Sequence, residues 1–251
     1  MDPELARKAI SLVDLTDLND GCTPEAIDAL CERASRYGTA AVCVWPDFVA
    51  QSSRLLAGTG VRVATVVNFP TGDERPFVVA LVTERALVDG ADEIDVVLPY
   101  KAFAAGSRDR PADMLDRVRA ITSDRGALMK VILETGELLD LDVAEAAARF
   151  AIEHGADFVK SSTGKTPVSA TLPAVERMLE VIASADRQIG IKPAGGISTA
   201  DDAERYIAAA ERIMGDGWVS PATFRFGASG LLNALLAAAG ESTSVGTDST
   251  Y

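Results

Sequence analysis

The chain has 251 residues, 48% of them hydrophobic, and a formal net charge of −13. That length suits one large core, and the acidic balance lacks the basic footprint with which nucleic-acid binders hold phosphates. No apolar run approaches the roughly 20 residues that span a bilayer, and Met1-Asp2-Pro3-Glu4 has neither the basic nor the apolar part of a signal peptide, so a cytoplasmic protein is expected.

Along the chain, short β-branched runs alternate with segments of helical period. A strand at 12–15 is followed by a helix at 24–36, a strand at 40–45 by a helix at 46–56, and a strand at 62–68 by a helix at 74–89. The pattern continues with strands at 93–98, 128–134, 157–160, 189–192 and 223–226, and with helices at 112–125, 143–154, 172–185, 200–214 and 231–238. Eight strand–helix units in this length predict an α/β protein, a single (β/α)8 TIM barrel over residues 1–239. An open doubly wound sheet is the alternative that the pattern leaves. Residues 240–251 are small and polar, with no periodic apolar face, and read as a flexible C-terminal tail.

Cys22, Cys31 and Cys43 are odd in number and have no CxxC spacing, which argues against a disulfide framework or a zinc site and for a reducing compartment. His154 is the only histidine and falls at a helix end, where the macrodipole favours it. Histidine triads and His-ligated metals are set aside on that ground, and no metal or cofactor is expected.

Five charged residues fall on separate strands: Asp14, Asp95, Lys130, Lys160 and Lys192. In a barrel, polar groups at the C-terminal ends of strands converge on one mouth. Lysines crowded at low dielectric disfavour one another's charge, and a free amine can attack a carbonyl to form an imine. A buried Lys–Asp network that only braces the barrel is the structural alternative. Lys160-Ser-Ser-Thr-Gly-Lys-Thr-Pro167 ends like a nucleotide P-loop, but Val159 stands where its first glycine belongs. That turn, Pro193-Ala-Gly-Gly-Ile-Ser-Thr199 and Phe226-Gly-Ala-Ser-Gly230 together point to phosphate binding, since the last two follow strands seven and eight. Thr199 is the expected cap of the helix at 200–214.

On these residues the chain resembles the 2-deoxyribose-5-phosphate aldolases, class I aldolases on a TIM barrel, in their longer bacterial form. The resemblance rests on Leu12-Val-Asp-Leu-Thr-Asp-Leu-Asn19, Val66-Val-Asn-Phe-Pro70, Gly90-Ala-Asp-Glu-Ile-Asp-Val-Val-Leu-Pro-Tyr100 and Lys130-Val-Ile-Leu-Glu-Thr-Gly-Glu137. It continues through Gly155-Ala-Asp-Phe-Val-Lys-Ser-Ser-Thr-Gly-Lys165, Gly190-Ile-Lys-Pro-Ala-Gly-Gly196 and Arg225-Phe-Gly-Ala-Ser229. It implies that Lys160 is the Schiff-base nucleophile, that Lys192 lowers its pKa and assists proton transfer, and that Asp95 joins Lys192 in a proton relay. Asp14, Thr16, Lys130 and Thr163 would bind substrate, with Cys43 nearby and not nucleophilic. Gly164, Lys165, Gly195, Gly196, Gly227 and Ser229 would cradle the phosphate, and Tyr251 would exchange a proton on the imine–enamine carbon.

The implied reaction is the reversible cleavage of 2-deoxyribose 5-phosphate to acetaldehyde and glyceraldehyde 3-phosphate, without metal, in deoxyribonucleoside breakdown. The implied assembly is a homodimer. Ser198 and Gly230 depart from many relatives of the longer form, which have arginine and serine there, and each departure removes a side-chain donor near the phosphate. A transaldolase-like or ketose-phosphate aldolase would share the imine lysine, and a sugar-phosphate isomerase or binder would share the phosphate turns.

Overall fold

The computed structural model describes residues 1–138 and 140–241. Eight parallel strands occur among them: β1 (Val13–Asp17), β2 (Ala41–Val44), β3 (Arg62–Val67), β4 (Glu93–Val97), β5 (Leu128–Ile132), β6 (Phe158–Lys160), β7 (Gly190–Lys192) and β8 (Phe226–Ala228). They pair in the order β7-β6-β5-β4-β3-β2-β1-β8. Parallel bridges from Ile191 to Phe224 and from Ala194 to Gly227 then join β8 back to β7 and close the ring. This is the expected (β/α)8 barrel; an open sheet would have left β7 and β8 as edges.

The helices are α1 (Pro3–Ile10), α2 (Pro24–Tyr37), α3 (Val49–Leu55), α4 (Pro76–Val88), α5 (Tyr100–Ala104) and α6 (Asp109–Arg125). They continue with α7 (Thr135–Leu138), α8 (Leu141–Glu153), α9 (Leu172–Ala183), α10 (Ala200–Met214) and α11 (Leu231–Ala238). Local chemistry sets several boundaries. Thr23 caps α2 through the Ala26 N–H, Pro24 opens it, and Gly38 ends it in the left-handed conformation. Thr171 and Thr199 cap α9 and α10 in the same way. No helix among the described residues is long and apolar enough to cross a membrane.

Alternation along the strands divides the core in two. Val42, Val44, Ile94, Val96, Met129, Val131, Val159 and Ile191 belong to the large cluster between barrel and helices. Ala41, Cys43, Ala64 and Val66 form a separate small cluster with Leu18, partly covered by Trp45 and Phe69. The alternate positions on β1 and β4–β7 carry buried charges: Asp14, Glu93, Asp95, Lys130, Lys160 and Lys192. The barrel interior is therefore small and apolar on the β2–β3 side and ionic on the other.

The chain departs from the sequence expectation at three kinds of place. The eighth strand lies at Phe226–Ala228, later than 223–226. Thr223 and Phe224 donate their N–H groups to Ser220 in a turn, so pairing with β1 begins at Phe226. The segment at 46–56 begins as a 3-10 turn, Pro46–Phe48, before α3. Finally α1, α5 and α7 add helices outside the eightfold pattern. They are short, and α1 is explained only by its packing: Ala6, Ala9 and Ile10 are buried, and the helix rests on α10 and α11.

Candidate active site

Lys160 ends β6 and Lys192 ends β7, and the two are register partners; Asp95 on β4 is likewise paired with Lys130 on β5. The parallel ladder thus sets four ionisable groups on adjoining strands with their side chains turned inward. Asp95 joins them. Its Oδ2 lies 3.0 Å from Lys160 Nζ and 2.7 Å from Lys192 Nζ, and its Oδ1 lies 2.7 Å from Lys130 Nζ. Asp14 Oδ2 lies 2.5 Å from Lys192 Nζ and 3.7 Å from Lys130 Nζ. Glu93 Oε2 stands 2.6 Å from Lys130 Nζ.

These contacts separate the three amines. Burial pushes the Lys160 ammonium down from its ordinary value; Asp95 opposes the shift and the charge of Lys192 adds to it. Lys192 and Lys130 go up: burial acts against their charge as well, but Asp14 and Asp95 overcome it at Lys192, and Asp95 and Glu93 at Lys130. Burial would raise Asp95, yet Lys130, Lys192 and Lys160 hold it well below the usual carboxylate range. Crowding therefore lowers one lysine of the three, with Lys192 contributing to the shift at Lys160 as the resemblance implied. It leaves one poised to be a free amine and two fixed as cations.

A cavity of about 370 Å³ opens at the C-terminal end of the barrel. Its wall includes Thr16, Lys160, Thr163, Gly164, Lys165, Gly195, Gly196, Gly227 and Ser229, all singled out from the sequence, together with Ser198 and Gly230. Lys130 and Asp14 do not line it. Both are fully buried beneath its floor, because their charges are spent on partners there. Cys43 is also fully buried; burial pushes its thiol up, away from thiolate chemistry. Tyr251 lies outside the described residues, as does the tail from 242 onward.

The glycines have steric reasons. A Cβ on Gly227 would stand 2.8 Å from Ala194 Cβ and 3.1 Å from Lys192 Cε, and one on Gly195 would stand 2.6 Å from Ser169 Cβ. Two helices point their N-termini toward this wall, and they differ. Thr199 and Asp202 form a reciprocal capping box on α10, so that end serves itself. Gly230 caps α11 without a side chain, which leaves the first-turn N–H groups of α11 for an anion. In the turn after β6 the Gly164 N–H donates to Ser162 Oγ and the Lys165 N–H to Thr163 Oγ1, so those two amides are already engaged.

Three residues of this region carried no role in the sequence reading. Arg225 donates to Asp14 Oδ1 at 2.7 Å and to Glu93 Oε1 at 3.1 Å, from below. Glu93 had a signal, since it stands two residues before Asp95 and so shares its face of the strand. Glu134 is buried at φ 56° and accepts from the Thr163 N–H, from Thr163 Oγ1 at 2.5 Å and from Thr166 Oγ1 at 3.2 Å. It pins the turn that follows Lys160.

The family model of the DeoC/LacD family aldolases matches residues 8–237. The chain belongs to this family. A deoxyribose-phosphate aldolase of Agrobacterium fabrum is 49% identical to this DeoC/LacD member over 236 residues, 93% of the present chain and 91% of the relative. Among solved structures, a candidate deoxyribose-phosphate aldolase from Coccidioides immitis is 31% identical, with a TM-score of 0.83 over 94% of this chain and 87% of that one. The tetrameric deoxyribose phosphate aldolase of Aeropyrum pernix is 25% identical, with a TM-score of 0.79 over 92% and 90% of the two chains.

Proposed function

We propose that this DeoC/LacD aldolase cleaves 2-deoxy-D-ribose 5-phosphate reversibly to acetaldehyde and D-glyceraldehyde 3-phosphate through a Schiff base on Lys160. One observation carries the assignment of the nucleophile: of the three buried lysines, only Lys160 both lines the cavity and is pushed toward the neutral amine.

The chemistry follows from that placement. The Lys160 amine attacks the C1 aldehyde of the open-chain sugar, and loss of water from the carbinolamine leaves a protonated imine. Removal of the C3 hydroxyl proton breaks the C2–C3 bond. The electron pair moves through C2 to the iminium nitrogen, and glyceraldehyde 3-phosphate departs. Protonation of the enamine at C2 gives the imine of acetaldehyde, which water releases. Asp95 with Lys192 forms the proton relay, since the carboxylate touches both amines. The phosphate sits at the open N-terminus of α11, beside the Gly195–Gly196 turn and the Lys165 ammonium. Thr16 and Thr163 hold the sugar hydroxyls. Tyr251 belongs to the same proposal, as the phenol that exchanges the C2 proton, and so do a homodimeric assembly and a cytoplasmic setting.

Acetaldehyde with borohydride, read by mass spectrometry, tests the nucleophile. Reduction should leave an N-ethyl group on the Lys160 peptide. Lys160→Arg should lose both trapping and turnover, because guanidinium does not deprotonate in proteins. Trapping retained at another lysine would overturn the assignment.

A further inference from the structure

Four basic side chains, Lys130, Lys160, Lys192 and Arg225, meet three carboxylates, Asp14, Glu93 and Asp95, inside the barrel. With every group charged, this cluster carries one cation too many for a buried site. Something must give up a proton, and the contacts decide which group does. Arg225 cannot, since a guanidinium stays protonated in proteins. It is 4% exposed, its Nε donates to the Pro221 carbonyl, and its two terminal nitrogens grip Asp14 and Glu93. Lys130 reaches both Glu93 and Asp95, and Lys192 reaches both Asp14 and Asp95. Lys160 reaches Asp95 alone, at the longest of the Asp95 distances, 3.0 Å.

We propose that Arg225 is a positioning residue: by holding Asp14 and Glu93 from beneath, it makes the cluster one proton short of full charge and leaves Lys160 as the amine that goes without. This rests on the reading of Lys160 as the nucleophile and goes beyond it, because Arg225 lines no part of the catalytic cavity. It lines a second cavity at the opposite, N-terminal end of the barrel, with Arg62, Asp157 and Phe158. Without Arg225, three lysines would face three carboxylates, and all three could stay charged.

The groups around this path come from strands β1 to β7, since β8 carries no titratable side chain. They are Asp14 on β1, Cys43 on β2, Arg62 on β3 at 4.0 Å from Glu93 Oε1, Glu93 and Asp95 on β4, Lys130 on β5, Lys160 on β6 and Lys192 on β7. Of these, Arg62 is half exposed and water screens it. It replaces Arg225 only poorly as a partner of Glu93.

The experiment is the pH profile of borohydride trapping of acetaldehyde at Lys160, in the full-length enzyme and in variants that are soluble and folded by circular dichroism. Arg225→Met removes the surplus cation, so Lys160 keeps its proton to higher pH. The profile should move alkaline by about one unit, a tenfold loss of free amine at any pH below it. Glu93→Gln removes an anion and should move the profile the opposite way. The double variant restores the balance and should return close to wild type, and Arg225→Lys should stay there. If Arg225→Met does not fold, Glu93→Gln and the double variant still carry the comparison. A role that is only structural would lower trapping at every pH without moving its midpoint. Coincident midpoints overturn the inference while leaving Lys160 as nucleophile. Absence of trapping at Lys160 in the wild type overturns that reading and this inference with it.

Discussion

Lys160 reaches a single carboxylate where Lys130 and Lys192 each reach at least two, and that difference sets its ionisation apart from theirs. Lys192 and Asp95 pull Lys160 in opposite directions: the ammonium pushes its proton off, and the carboxylate holds it. Two substitutions should separate them. Lys192→Leu removes the neighbouring cation and frees Asp95 to serve Lys160. The amine then keeps its proton longer, and the pH–rate profile of imine formation moves to higher pH. Asp95→Asn removes the anion, so trapping should extend to lower pH while carbon–carbon cleavage loses about 10²–10⁴-fold with the relay. Single-turnover trapping and steady-state cleavage, measured on the same preparations, check both. Lys160, Lys192 and Asp95 were legible in the sequence because each is a charge set in a short β-branched run, where a plain core would have none. Arg225 was not, because its role depends on lying under two carboxylates that the sequence places far away.

At the scale of the element, the strand–helix turns decide how the cavity is walled. Ser198 follows the Gly195–Gly196 turn and Gly230 opens α11, and both are exposed on the cavity wall. Open space surrounds the position of a Cβ on Gly230. Ser198→Arg with Gly230→Ser should therefore be accommodated. It should lower KM for 2-deoxyribose 5-phosphate more than for free 2-deoxyribose, since a hydrogen bond to a charged group is worth roughly 1.5–3 kcal/mol. Equal effects on the two sugars would count against phosphate at these positions. Gly227→Ala is the contrasting case. Its methyl meets Ala194 and the Lys192 stem, so about 1–3 kcal/mol of stability should be lost by overpacking. Turnover should fall with it as Lys192 is displaced; denaturant unfolding and cleavage assays read the two effects. The three turns were visible as glycine clusters. That α10 caps itself and α11 does not was only half visible: Thr199 is a recognisable cap, but an open N-terminus shows itself only when no side chain is seen to fill it.

For the molecule as a whole, closure of the ring brings the first and last described helices, α1 and α11, together. Helix α1 lies on α10 and α11, Lys8 bonds Glu211 at 3.0 Å, and Arg7 donates to the Ala239 carbonyl. Deleting residues 1–10 uncovers the face on which Ala6, Ala9 and Ile10 are buried. That loss is worth about 3 kcal/mol on apolar area, or about 6–12 °C in Tm for a chain of this size. Because α11 also opens at Gly230 on the cavity wall, where the proposed function seats the phosphate, KM for the phosphorylated sugar should rise; an unchanged Tm would mean that α1 only decorates the barrel. The sequence by itself determined the count of strand–helix units, the inward charges and the glycine turns. Each of these is a local pattern: a period of two or of 3.6, or a residue type that a strand end does not need. Only the tertiary structure decided that Lys160 reaches one carboxylate while Lys130 and Lys192 reach more, that Asp14 and Lys130 lie below the cavity, and that Arg225 grips Asp14 and Glu93 from beneath. Those outcomes depend on distances between groups far apart in the chain. Asp14 and Arg225, 211 residues apart, touch at 2.7 Å because β8 closes the barrel against β1.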